Sequence, residues 1–153
     1  MREFTIREIV EHAEKIEAES RKFYSTAAEK LKDAETVKLT RELAEEEIKH
    51  FNHLRDLINE SKLSAAELDK LSGGRIDLHD RIVKTAEITE DSDPVEVLEV
   101  ALDREIATEN LYKMYLTLTD LPDNFIKVFD DLRLQEVGHQ NRIKTLIKKI
   151  LNS

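Results

Sequence analysis

The chain has 153 residues, enough to bury one hydrophobic core in a single domain without covalent staples. Its formal net charge of -9 argues against nucleic acid or an anionic membrane surface as a partner, and the absence of cysteine excludes disulfides, thiolate metal sites and cysteine nucleophiles. Three glycines and two prolines among abundant Glu, Lys, Leu, Ala and Ile are the composition of long helices, so an all-α fold is expected.

From the start of the chain, apolar or small residues recur at Ile6, Ile9, Ala13, Ile16, Ser20, Phe23 and Ala27 in steps of three and four, which predicts a helix over 4–32. This amino-terminal segment lacks an apolar signal core and no run of about 18 apolar residues follows, so a soluble cytoplasmic protein is expected. Glu17 lies beside the stripe, on a seven-residue line with Val10, Tyr24 and Leu31. A second helix is predicted over 35–60 from Thr36, Thr40, Leu43, Glu47, His50, Leu54 and Leu57. There, polar Glu47 and His50 occupy the row that leucines hold before and after them. Few residues separate the two helices, so they fold back as an antiparallel hairpin over 4–60.

Residues 61–93 break the pattern. Ser64 and Glu67 form a capping-box signature for a short helix that Gly73-Gly74 is expected to end, and the remainder reads as a crossover connection. Asp93-Pro94-Val95-Glu96 is a helix start, with an aspartate cap, proline at the first helical position and an acid in the first turn. The third long helix is predicted over 94–119, with Leu98, Ala101, Glu105, Thr108, Tyr112 and Tyr115 on its inner stripe. Its pattern is weaker because Arg104 stands where the first helix has Ile16. After a Leu121-Pro122 turn the fourth helix steps through Phe125, Phe129, Leu132, Glu136, His139, Ile143, Leu146 and Ile150, completing a hairpin over 94–151. The expected architecture of 1–153 is one domain, an antiparallel four-helix bundle with one long crossover, whose second hairpin packs parallel to the first as a rotated copy.

The chemistry-bearing residues fall on these stripes twice. Glu47-Ile48-Lys49-His50 and Glu136-Val137-Gly138-His139 each place a carboxylate and an imidazole one helical turn apart on one face, where both reach the same centre. Glu17 precedes Glu47 by 30 residues and Glu105 precedes Glu136 by 31, and each of these partner glutamates precedes a tyrosine, Tyr24 or Tyr112, by seven. One Glu-x-x-His in a chain with 37% charged residues carries little, but two in register on apolar stripes agree with one another. Four buried carboxylates repel and each costs several kcal/mol unpaired. Two divalent ions balance them. Carboxylate and imidazole suit iron or manganese, and zinc also binds but is redox-silent. The expected assignment makes Glu47 and Glu136 bridging ligands, with Glu17 and His50 terminal on one metal and Glu105 and His139 on the other. Tyr24 and Tyr112 either donate to ligand carboxylates or fill core volume. Glu109, one turn past Glu105, is a further candidate ligand. His12, His53 and His79 have no acid in register and are expected at the surface, and Gly138 is expected to permit close helix packing beside the site.

With Glu17-x6-Tyr24, Glu105-x6-Tyr112 and the two Glu-x-x-His units, the chain resembles the rubrerythrin branch of the ferritin-like di-iron carboxylate superfamily, over about 6–60 and 94–150. The resemblance implies a non-haem centre of two iron ions that reacts with hydrogen peroxide or dioxygen. Many such proteins carry an additional glutamate one turn after the third-helix ligand, where this chain has Thr108. They also append a cysteine-ligated iron domain for electron delivery, which a chain without cysteine lacks, so an external electron donor is expected. The reading is a peroxide reductase or oxidase. The alternatives are a ferroxidase or iron-handling protein and a non-catalytic, metal-stabilised bundle; a homodimer is compatible with each.

Overall fold

The structure, a computed structural model, describes residues 1–78 and 87–153. In chain order its elements are β1 (Arg2–Thr5), α1 (Ile6–Lys30), α2 (Ala34–Asn59), α3 (Ala65–Leu68), β2 (Leu71–Ile76), α4 (Pro94–Tyr115) and α5 (Asp123–Leu151). The start signals hold: Thr5 and Glu8 cap α1 reciprocally, Asp33 accepts from the Thr36 amide, Ser64 and Glu67 box α3, and Asp93 caps α4 with Pro94 behind it.

Three local expectations are corrected. The chain before Ile6 is not helical, because Arg2–Thr5 pairs antiparallel with Leu71–Ile76, Arg2 opposite Ile76 and Thr5 opposite Leu71. Gly73-Gly74 does not end α3, which stops at Leu68; the two glycines lie inside β2. The third long helix ends at Tyr115 rather than 119, because the chain beyond it turns to dock on β2. There the Asp120 amide donates to the Ser72 carbonyl at 3.0 Å and the Thr119 amide to the Gly73 carbonyl at 2.8 Å. Gly73 is required at that contact: its φ is +85°, and a Cβ would stand 2.6 Å from the Asp120 nitrogen.

The bundle itself is as expected, with α1 against α2, α4 against α5, and the two hairpins meeting through α1–α4 and α2–α5. Two apolar cores flank its middle. One gathers Ile9 and Ala13, Leu54, Tyr112 and Tyr115, and Phe125 and Phe129; the other gathers Tyr24 and Ala27, Leu43, Leu98 and Ala101, and Ile143. The first core therefore joins the start of α1 to the end of α4, so these helices run antiparallel. The second hairpin is not a parallel copy but is related to the first by an approximate two-fold across the bundle. The physical reason is the crossover: α2 ends in one core and α4 begins in the other, so the connection starts the second hairpin at the opposite end. Among the described residues no helix is long and apolar enough to cross a membrane.

Candidate metal centre

Between the two cores lies a polar layer to which all four long helices contribute. Glu17 comes from α1, Glu47 and His50 from α2, Glu105 from α4, and Glu136 and His139 from α5. None of the six is more than 3% exposed. Their ligand atoms fall into two overlapping groups, Glu17-Glu47-His50-Glu136 and Glu47-Glu105-Glu136-His139, in each of which the atoms lie within 4.8 Å of one another. Glu47 and Glu136 belong to both groups. His50 Nδ1 stands 3.4 Å from Glu17, 3.6 Å from Glu47 and 3.3 Å from Glu136. His139 Nδ1 stands 3.3 Å from Glu47, 3.4 Å from Glu105 and 3.7 Å from Glu136. The two imidazoles stack 5.5 Å apart with an interplanar angle of 8°.

The tyrosines do both things open to them. Each is buried in a core, and each donates to a cluster carboxylate of the other hairpin, Tyr24 to Glu105 and Tyr112 to Glu17, both at 2.5 Å. The reciprocity follows from the antiparallel α1–α4 pair, which sets each tyrosine level with the opposite glutamate. The outer nitrogen of each imidazole faces a residue of the other hairpin, with a hydrogen bond at His50 and a longer ion-pair contact at His139. His50 Nε2 is 2.7 Å from Gln135 Oε1, and His139 Nε2 is 3.5 Å from Glu46 Oε1. Glu46 in turn accepts from Arg142 at 2.6 Å. Sequence reasoning missed Gln135 and Glu46, although each immediately precedes a cluster glutamate and so sits one place along the same repeat.

Burial and the neighbouring charges shift the proton affinity of all six groups. Burial, then the charge of Glu47, pushes the Glu17 carboxyl up to about 8. Glu136 is raised by burial and by Glu105, Glu47 and Glu17. Burial opposes the charging of His50 and His139, but the carboxylates beside them outweigh it and hold the two imidazoliums up to about 11 and about 10. Burial likewise pushes Glu47 and Glu105 upward, and their neighbours win: Glu17 and the imidazoles lower Glu47, while Glu136 and His139 lower Glu105. At neutral pH, then, both imidazoles are charged and the Glu17 carboxyl holds its proton, Glu136 is pushed in the same direction as Glu17, and Glu47 and Glu105 are pushed toward their ionised forms. Even so, both Glu47 oxygens, Glu105 Oε2, Glu136 Oε1 and both His139 ring nitrogens are buried without a hydrogen-bond partner. Buried carboxylates and imidazoles gathered this closely, with several atoms lacking a hydrogen-bond partner, could hold metal ions once the imidazoles give up their protons.

Other candidates fall outside the layer. Glu109 does not join it, because Gln140 and Lys113 hold its carboxylate, each at 2.9 Å. His12 is not a surface residue: it is half-buried, with Nδ1 2.5 Å from the Tyr115 hydroxyl. His53 is exposed as expected, and His79 lies outside the described residues. Thr108 is buried, its hydroxyl donating to the Arg104 carbonyl at 2.9 Å. Gly138 permits no close packing, since a Cβ there would meet nothing within 4 Å.

No protein-family model matches the chain, and no curated protein matches it. Solved structures do. A provisionally described ferritin-like diiron-carboxylate protein from Thermotoga maritima superposes with a TM-score of 0.75 at 20% identity, over 97% of each chain. A hypothetical protein from Pyrococcus furiosus gives 0.72 at 22% identity, over 97% of this chain and 92% of that one. A two-domain protein from Anabaena variabilis, with DJ-1/ThiJ/PfpI-like and ferritin-like domains, gives 0.71 at 16% identity; 97% of this chain is covered, but it spans only 37% of that protein. At such identities the likeness establishes the fold, a ferritin-like helical bundle.

Proposed function

We propose that the chain is a non-haem di-iron protein of rubrerythrin type, in which Glu47 and Glu136 would be shared by two ions, Glu17 and His50 would help hold one, and Glu105 and His139 the other. The observation that carries this reading is the pair of overlapping four-residue groups, which share two glutamates and leave six buried oxygen and nitrogen atoms without a hydrogen-bond partner. The likeness to a protein described as a diiron-carboxylate protein supports it. Iron held there would supply redox chemistry: two electrons with two protons would take hydrogen peroxide to water, or dioxygen to hydrogen peroxide, and an external donor would return the electrons.

The protein's own share is positioning. Tyr24 and Tyr112 fix Glu105 and Glu17 through short hydrogen bonds that also stabilise their ionised forms. Gln135 and Glu46 face the outer imidazole nitrogens, which directs Nδ1 of both histidines inward. The apolar cores on either side exclude bulk water and keep the local dielectric low, so each charge in the layer acts strongly on the next. An acidic chain without thiols fits a reducing, cytoplasmic compartment.

The test is to load the purified chain with Fe(II) without oxygen, assay the metal, and follow the optical spectrum as hydrogen peroxide or dioxygen is added. Two irons per chain, rapid oxidation and repeated turnover with a chemical reductant are expected. A protein that binds two irons but ignores both oxidants defeats the redox reading, and one that oxidises Fe(II) and then releases it is an iron-handling protein.

A further inference from the structure

A cavity of about 70 Å³ opens between α1 and α4, apart from the ligand layer but directly beside it. Ser20, one turn after Glu17, and Thr108, one turn after Glu105, both line it and are both buried. With Tyr112 bonded to Glu17 and Tyr24 to Glu105, these two hydroxyl residues fall between the bonded pairs. The cavity therefore adjoins the α1–α4 side of the cluster, while both histidines enter from α2 and α5. Its walls include Ile16, Leu111 and Met114, and one cation, Arg104, lines it as well.

Arg104 is the informative residue. It is half-buried, its guanidinium lies 4.9 Å over the Phe23 ring, and its Nε is buried without a hydrogen-bond partner. No acid pairs with it among the described residues. The Nε itself is closed off from the cavity, so a ligand would be met by the terminal guanidinium nitrogens, and a planar guanidinium is best met by a planar carboxylate. Exposed Glu19 also lines the cavity, where a second carboxylate on a ligand would meet like charge.

We propose that this cavity binds a short aliphatic monocarboxylate, with its head on Arg104 and its chain across Ser20 and Thr108. The volume admits more than one water and so a molecule of a few heavy atoms. Apolar walls select a hydrocarbon chain, Arg104 the anionic head, and exposed Glu19 disfavours a dicarboxylate. That the occupant lies against a metal pair rests on the function proposed above; the binding itself does not.

The experiment is calorimetric titration of the full chain, as purified and after loading with Zn(II), with straight-chain monocarboxylates from acetate to octanoate, and with glutarate and butylammonium. Saturable binding is expected for a short member of the series, about tenfold or more weakened in Arg104→Gln, the loss of one charged hydrogen-bonded contact. Thr108→Ile, checked for folding by circular dichroism, should weaken it by occluding the floor, with zinc content unchanged. Glutarate and butylammonium should bind about tenfold less tightly. No monocarboxylate binding, or binding indifferent to Arg104→Gln, overturns the proposal and leaves a water-filled cavity. Monocarboxylate binding in a chain that takes up no zinc defeats the metal reading alone.

Discussion

The hairpin α1–α2 and the hairpin α4–α5 carry the same inner residues and different outer ones. Each brings two glutamates, one histidine and one tyrosine to the central layer, and each tyrosine crosses to the other's glutamate. Outside that layer the match ends. His50 has a neutral amide at 2.7 Å, whereas His139 has a carboxylate at 3.5 Å that Arg142 restrains. One core contains the Tyr115–His12 pair, where the repeat places Ala27 and Val100 in the other half. The difference teaches where the repeat is constrained: side chains that converge on one centre are duplicated, while their supports need only satisfy a donor or an acceptor.

The largest expected effect tests that inner equivalence. If Glu47 and Glu136 are shared, Glu47→Ala and Glu136→Ala should each reduce metal content from two ions per chain to less than one, as measured by elemental analysis. Glu17→Ala and Glu105→Ala should each retain about one ion, since each removes a ligand from a single site. Retention of one ion in Glu47→Ala but none in Glu136→Ala would break the symmetry of the bridge.

Protonation provides the next largest effect, because protons stand where cations are needed. Binding two divalent ions requires neutral imidazoles and ionised carboxyls, so at pH 7 about three protons should be released from His50, His139 and Glu17, and the direction of the Glu136 shift adds to that release. Calorimetry in buffers of different ionisation enthalpy counts them. The sign for stability follows. Groups whose folded values are raised stabilise the protein fully below their unfolded values, near 4.5 for Glu17 and 6.5 for the histidines. That contribution is lost as pH rises through about 8 for Glu17 and about 10 and 11 for His139 and His50. The metal-free chain should therefore melt at progressively lower temperature between about pH 6 and about pH 10, and the zinc-loaded chain should not. A metal-free melting temperature that rises over this range would refute the cluster's proton balance.

The tyrosines supply a smaller, paired effect. Tyr24→Phe and Tyr112→Phe each delete a hydrogen bond to a buried carboxylate, worth about 1.5–3 kcal/mol, and should weaken metal binding by about 10- to 100-fold. Competition with a chelator measures the affinity. Equal losses would support the two-fold relation, and unequal ones would show that the outer asymmetry reaches the metals.

The inner layer was legible in the sequence because its residues interrupt rows that are otherwise apolar: Glu47 and His50 between Leu43 and Leu54, Glu136 and His139 between Leu132 and Ile143. A periodic pattern exposes whatever violates it. The ribbon of Arg2–Thr5 with Leu71–Ile76 was not legible, since neither segment alternates long enough to announce a strand and their pairing spans some 70 residues of chain. Which tyrosine serves which glutamate depends on the direction of α4 relative to α1, which residue spacing leaves open. His12 was misread for a related reason: its partner is a phenol from α4, and only acids at local spacing had been weighed. Arg104 looked like a flaw in the α4 stripe, and the structure makes it a wall of the cavity beside the layer.

The smallest expected effect concerns the one place where the two Glu-x-x-His units differ without consequence for packing. The first carries exposed Lys49 where the second carries exposed Gly138, midway along α5. Glycine in a helix interior costs about 1 kcal/mol relative to alanine because it gives up more backbone freedom on folding. An added Cβ at 138 would meet nothing within 4 Å, so no steric term opposes the gain. Gly138→Ala should thus stabilise the protein by about 1 kcal/mol in denaturant unfolding and leave metal content unchanged. Gly73→Ala is the contrasting control, expected to destabilise because its φ is +85° and its Cβ would collide with the Asp120 backbone. If Gly138→Ala instead lowers metal content, the backbone between Glu136 and His139 must move when metal binds, and the glycine belongs to the constrained part of the repeat.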